Sequence, residues 1–199
     1  MPTASPGQLV IISGPSGVGK STIMPLVRQR FGERLRMSIS ATTRPPRPGE
    51  VDGENYYFLS HDEFQRRLAA GEFLEAIEVF GRGHWYGTLM DEVLPSLENG
   101  VWVILEIDVA GAQRALEKFP SAVTIFISPA EQLDDAIQIL DQRLRIRGTE
   151  SEQAITRRLE VARQEIERSA GYKYNVINQS VEQSADAICQ ILRQQGIDG

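Results

Sequence analysis

Residues 14–21 read Gly14-Pro15-Ser16-Gly17-Val18-Gly19-Lys20-Ser21, and this octapeptide limits the possible folds more than any other segment. It fits G-x-x-x-x-G-K-[ST], a loop whose glycines let successive backbone N–H groups converge on phosphate oxygens. The apolar, β-branched run Leu9-Val10-Ile11-Ile12 stands before it and reads as a buried strand. The stretch from Ser21 to Phe31 behind it reads as a helix whose positive N-terminal end adds to the same site. A strand, a glycine-rich turn and a helix in that order point to an α/β chain with a nucleotide-phosphate site. Lys20 suits the β- and γ-phosphates, and the Ser21 hydroxyl suits a Mg²⁺ ion.

The rest of the chain alternates in the same way. Strands are expected at 8–13, 36–40, 101–107, 122–127 and 174–178, and helices at 19–31, 89–98, 109–118, 131–147, 151–169 and 182–195. Three capping boxes mark helix starts: Ser60 with Glu63, Thr149 with Glu152, and Ser180 with Gln183. Pro25 conflicts with its helix and is expected to kink it or shift its start. The alternation predicts a parallel sheet flanked by helices. Residues 41–88 break the pattern with Pro45, Pro46, Pro48 and Gly49, then Tyr56-Tyr57-Phe58, a short helix and the alternating run Phe73 to Phe80. They read as a small β-rich insert.

Composition narrows the class. A chain of 199 residues with 41% hydrophobic and 24% charged residues suits one globular domain with small lobes. A net charge of −6 gives no general attraction to nucleic acid or anionic membrane. Cys189 is the sole cysteine, so no internal disulfide forms. No apolar run approaches the ~20 residues of a membrane span, and Met1 to Pro6 has no signal-peptide pattern, so a cytoplasmic location is expected.

A second chemical cluster is Val101 to Asp108, an apolar run ending in Glu106 and Asp108. The two acids stand two apart, so both are expected on the same side of the strand. They then either hold Mg²⁺, directly or through water, or are acids at a strand end emerging into solvent. Arg44 and Arg47, three apart on a proline-stiffened segment, offer planar forks suited to a phosphate dianion. Arg143 and Arg147 lie i,i+4 on one helix face before Gly148. They either serve phosphate chemistry or complement a helix C-terminus. Glu75 stands between Glu72 and Glu78, a pattern that favours a solvent-facing strand residue. No asparagine begins the N-K-x-D sequence by which switch-type GTPases read guanine.

The segment Ser38-Ile39-Ser40-Ala41-Thr42-Thr43-Arg44-Pro45-Pro46-Arg47-Pro48-Gly49-Glu50 resembles the guanylate kinase signature S-x-[ST]-T-R-x-P-R-x-G-E. The likeness continues through Gly53, Tyr56, Phe58, Glu75, Tyr86-Gly87-Thr88, Glu106-Ile107-Asp108 and Arg147-Gly148-Thr149-Glu150. It implies a P-loop kinase core at 7–38, 89–130 and 165–197, a monophosphate-binding insert at 39–88 and a helical lid at 131–164. It also implies Mg²⁺-dependent transfer of the ATP γ-phosphoryl to GMP in guanine nucleotide synthesis. Gly14 to Ser21 with Thr22 would hold ATP. Arg44, Arg47, Tyr56 and Tyr86 would hold the GMP phosphate, and Ser40, Glu75, Thr88 and Asp108 would read its guanine. Ser21 and Asp108 would serve the metal, while Lys20, Arg143, Arg147 and Arg158 would carry catalysis. GMP and ATP are the implied partners, with neither nucleic acid nor membrane.

The chain departs from the family in three places. Ala110 stands where Gln is expected, the stretch from Pro129 to Arg143 is longer than usual, and Asn178-Gln179 stands where Asn-Asp is common. The rival readings are a related protein-binding module without catalysis and a kinase for another monophosphate. The intact loop from Gly14 to Ser21 argues against the first of these.

Overall fold

A computed structural model describes residues 6–79, 83–148 and 151–198, apart from the side chain of Arg147. Phe80, Thr149 and Glu150 lie outside the described residues. In chain order the elements are β1 (Leu9–Ser13), α1 (Lys20–Phe31), β2 (Leu35–Met37), β3 (Ala41–Thr42), β4 (Tyr57–Phe58), α2 (His61–Ala69), β5 (Phe73–Val79), β6 (His84–Leu89), α3 (Met90–Glu98), β7 (Trp102–Glu106), α4 (Val109–Lys118), β8 (Val123–Ser128), α5 (Leu133–Arg147), α6 (Glu152–Glu167), β9 (Tyr174–Ile177) and α7 (Val181–Gln194). The fold is mixed α/β, with a five-stranded parallel sheet in the order β2-β7-β1-β8-β9 and a four-stranded sheet in the order β4-β3-β6-β5. The chain divides into two compact units, one of residues 1–9 and 34–122, the other of residues 10–33 and 123–199.

In the first unit, β2 pairs parallel to β7, matching Leu35 with Trp102 and Met37 with Ile104. Val103, Ile104 and Leu105 are fully buried, the continuous apolar run required of a strand covered on both faces. β2 is shorter than the sequence suggests: Ser38 N–H still reaches the Ile104 carbonyl at 2.9 Å, but Ile39 N–H turns to the Glu92 carboxylate. The four-stranded sheet is the β-rich insert. β5 and β6 run antiparallel with Glu75 opposite Thr88 and Ile77 opposite Tyr86, and the register shifts between Phe73 and Glu75. Phe64 of α2 stacks on Phe73 with ring centroids 4.3 Å apart, over a core that includes Ala41, Ala76 and Leu89.

In the second unit, β8 lies between β1 and β9 and is parallel to both. All five residues of β1 and all six of β8 are buried. α1 packs on α7 and α5 on α6, closing the core through Ile23, Val27, Leu140, Leu144, Ile155, Ile188 and Leu192. α1 runs through Pro25 from its expected start. The carbonyl that loses its partner there belongs to the exposed Ser21. Ser60 and Ser180 cap α2 and α7 as expected, each accepting from the backbone three residues on. The cap of α6 is Ser151, which accepts from Ala154 N–H at 3.3 Å, while the expected cap Thr149 lies outside the described residues. Among the described residues, no helix is long and apolar enough to cross a membrane.

Candidate active site

The loop from Gly14 to Lys20 leaves β1 and enters α1 through three glycines with positive φ, 155° at Gly14, 93° at Gly17 and 109° at Gly19. At Gly19 both conformation and space demand glycine, since a Cβ would lie 2.8 Å from Asn178 Nδ2. Gly19 precedes α1 with no side-chain cap, so the first-turn N–H groups and the helix dipole face the loop. Lys20 Nζ donates to the Gly14 carbonyl at 2.5 Å and folds back across the loop. Ser21 and Thr22 are exposed on the first turn.

Three further side chains reach this loop. Asn178 is buried and donates from Nδ2 to the Val18 carbonyl at 2.5 Å, while its Oδ1 accepts from Ser184 of α7. Arg143 Nη1 of α5 donates to the same Val18 carbonyl at 3.2 Å. Arg158 Nη2 of α6 donates to Ser16 Oγ at 2.6 Å. The α5–α6 hairpin therefore brings two of the three expected lid arginines onto the loop. The third, Arg147, has its side chain outside the described residues.

The first unit holds a separate pocket of about 210 Å³ lined by Ser40, Tyr56, Glu75, Tyr86, Glu106 and Asp108, with Ile77, Val79, Gly87 and Ile107 as its apolar walls. Glu75 is 5% exposed. Being opposite Thr88 in the ladder, it shares that residue's face of the sheet, and Thr88 Oγ1 donates to Glu75 Oε1 at 2.9 Å. Burial first, and the nearby Asp108 charge after it, push the Glu75 carboxyl up to about 7 against the opposing Thr88 hydrogen bonds. Gly111 makes the close approach possible, since a Cβ there would stand 3.0 Å from Glu75 Oε2. The solvent-facing strand position suggested by the neighbouring acids is thus not where Glu75 lies, because the start of β5 is covered on both faces.

Asp108 departs from the expected strand geometry in a second way. β7 ends at Glu106, and Asp108 is the N-cap of α4, its Oδ1 accepting from Gly111 N–H at 2.7 Å. The two acids nevertheless line one pocket, because the chain turns into the helix there. Ala110 is exposed on the first turn of α4 and is not among the pocket's lining residues.

Arg44 lies beside the rings of Tyr56 and Phe58, with its guanidinium carbon 5.4 and 5.7 Å from their centroids. Glu50 takes two of its donors in a fork, both at 2.9 Å, and Glu50 also accepts from Arg47 N–H at 2.7 Å. This pairing holds the Glu50 carboxyl below the usual carboxylate range, chiefly through the Arg44 hydrogen bonds. Tyr56 and Tyr86 meet edge to face at 6.0 Å, and burial raises the Tyr56 hydroxyl above its ordinary pKa. Arg47 is exposed. Glu50, Ile77, Val79 and Ile107 escaped the chemical reading of the sequence. Only Glu50 carried a signal, as the closing acid of the arginine segment.

Among the described residues no cluster of three or more His, Cys, Asp or Glu side chains is suited to a metal ion. The exposed Ser21 and Thr22 hydroxyls beside the loop are neutral oxygen donors, the chemistry that suits an ion such as Mg²⁺ that keeps several waters.

A family profile described as guanylate kinase matches residues 6–195. A guanylate kinase of Rhodopirellula baltica is 52% identical over 155 residues, spanning 77% of this chain and 72% of its own. One from a Nostoc species is 49% identical over 149 residues, covering 75% and 71% of the two chains. The crystal structure of a guanylate kinase from Anaplasma phagocytophilum aligns with a TM-score of 0.72 at 32% identity, over 96% of this chain and 87% of that one.

Proposed function

Because this chain belongs to the guanylate kinase family and so transfers the γ-phosphoryl group of ATP to GMP, we propose which of its residues perform each part of that reaction. ATP phosphates lie in the loop from Gly14 to Thr22, against the uncapped start of α1. Lys20 leaves the Gly14 carbonyl for the phosphates when they arrive. The Ser21 hydroxyl would be a protein ligand to Mg²⁺, which when bound would supply charge neutralisation to the phosphates. GMP occupies the pocket of Ser40, Tyr56, Glu75, Tyr86 and Asp108. Its phosphate meets Arg44, already oriented by Glu50, together with Arg47 and the two tyrosine hydroxyls.

The observation that carries this reading is the buried Glu75 carboxyl at the pocket wall. An ionised carboxylate accepts from both guanine N1–H and the exocyclic amine, a donor pair adenine does not present. Thr88 and Asp108 hold the acid and the neighbouring helix start in place. Arg143 and Arg158 already touch the phosphate loop and add charge as the phosphoryl group moves. Phosphoryl transfer asks mainly for positioning and charge stabilisation, and the acceptor oxygen is already an anion, so no general base is required. The segments 7–38, 89–130 and 165–197 then act as core, 39–88 as acceptor insert and 131–164 as lid. The reaction belongs to cytoplasmic guanine nucleotide metabolism.

Lys20→Ala tests the assignment. It should fold as the parent does and lose at least about a hundredfold in kcat, the scale of a removed charge contact. Retention of more than about a tenth of parental kcat would refute the role, being far less than such a loss.

A further inference from the structure

Glu92 is the second buried acid of the first unit, 7% exposed in the first turn of α3, and the reaction described above makes no use of it. Its two oxygens divide their work. Oε1 accepts from the Arg36 guanidinium of β2 and from Ile39 N–H at 3.3 Å, and Oε2 accepts from the Tyr57 hydroxyl of β4 at 2.9 Å. Arg36 also donates to Ser96, one turn along α3, at 3.1 Å. The bond to Glu92 is the leading reason the Tyr57 hydroxyl is held above its ordinary pKa.

The two groups that Glu92 grips on the insert side are the sequence neighbours of pocket residues. Ile39 precedes Ser40, Tyr57 follows Tyr56, and both Ser40 and Tyr56 line the pocket. The backbones of these two segments are themselves joined, with Tyr57 N–H on the Ser40 carbonyl at 3.0 Å. Adjacent side chains in extended chain leave on opposite sides, so Tyr57 points to Glu92 where Tyr56 faces the pocket. A buried carboxylate with three donors fixes them against one another, and losing the Tyr57 hydroxyl leaves Oε2 without its donor.

We propose that Glu92 is a positioning residue for GMP, acting through Ile39 and Tyr57 to set Ser40 and Tyr56 at the pocket wall. The proposal rests on the assignment of that pocket to GMP. It differs from a purely structural ion pair, which would alter stability and leave GMP affinity alone.

The test is calorimetric GMP binding and steady-state kinetics on the whole protein and on Tyr57→Phe, Glu92→Ala and Glu92→Gln. Tyr57→Phe removes one hydroxyl and should raise both the Kd and the KM for GMP by about threefold to tenfold, the range of one hydrogen bond. The KM for ATP and kcat at saturating GMP should stay within about twofold of the parent, since this contact serves the ground-state fit of one substrate. Glu92→Ala loses all three contacts and should weaken GMP by at least about tenfold. Glu92→Gln should recover most of that loss, because the amide oxygen still accepts on one side and the NH₂ donates to the Tyr57 oxygen on the other. Unchanged GMP affinity in Tyr57→Phe and Glu92→Ala, whatever their melting temperatures, overturns the proposal, as does a Gln variant no better than Ala. If Glu92→Ala fails to fold, Tyr57→Phe decides alone. A parent protein that binds no GMP removes both the pocket assignment and this inference, whereas binding that all variants match removes the inference alone.

Discussion

Glu75 is buried with a carboxyl pushed up to about 7, so the base recognition proposed for it should depend on pH. A raised carboxyl binds its proton more tightly in the folded chain than in the unfolded one. The folded state is therefore favoured below about 4.5, loses stability as pH climbs from about 4.5 to 7, and bears the full penalty above that. Replacing Glu75 by Gln removes the ionisation. Its melting temperature relative to the parent should rise between pH 5 and pH 8, by the equivalent of about 2–3 kcal/mol at most. In the proposed role guanine needs the ionised form, so GMP binding at pH 6 should release a proton, visible as a binding enthalpy that depends on the ionisation heat of the buffer. An enthalpy independent of buffer at pH 6 would mean that Glu75 is already ionised or does not meet the base. Nothing in the pattern of Glu72, Glu75 and Glu78 distinguished the middle acid. The distinction arises from the ladder partner Thr88 and the covering start of α4, both remote in sequence.

The α5–α6 hairpin shows how an element turns generic charge into specific contact. The i,i+4 spacing of Arg143 and Arg147 served a helix dipole as well as a phosphate site. The contact of Arg143 with Val18 and of Arg158 with Ser16 directs the first and last of the expected three to the loop. If Arg158 contributes chiefly as charge moves, Arg158→Ala should lower kcat by about a hundredfold or more with the KM for GMP little changed. Arg158→Lys should rescue poorly because an ammonium lacks the planar fork. A stability loss with catalysis intact, seen by thermal melt and steady-state kinetics, would mean that the arginine serves only the helix. Elements of this kind were legible where local rules dominate. The strand, glycine turn and helix around residues 9–31 follow from the run of apolar residues and the glycines, and Ser60 and Ser180 follow from capping chemistry. One boundary moved where a distant side chain intervened, at Ile39, whose N–H is taken by Glu92, and another where a local cap won, at Asp108, which accepts from Gly111 and starts α4 instead of continuing β7.

For the whole molecule, the parallel sheet, the flanking helices and the β-rich insert were readable from alternation and its interruption at 41–88. The arrangement of the pocket was not, because Ser40, Tyr56, Glu75, Tyr86 and Asp108 come from five separate stretches that only the two sheets and the start of α4 bring together. The guanidinium partner Glu50 likewise becomes visible only when the proline-stiffened segment folds back on Arg44. The central claim is that this assembly phosphorylates GMP and selects it by its base. Its most direct test is a coupled assay of ADP release by the purified protein with ATP and with GMP, AMP, CMP or UMP in turn. The expected result is a kcat/KM for GMP at least about a thousandfold above that for AMP, as for a site whose buried polar groups go unpaired with the wrong substrate. Equal kcat/KM for GMP and AMP would contradict the account.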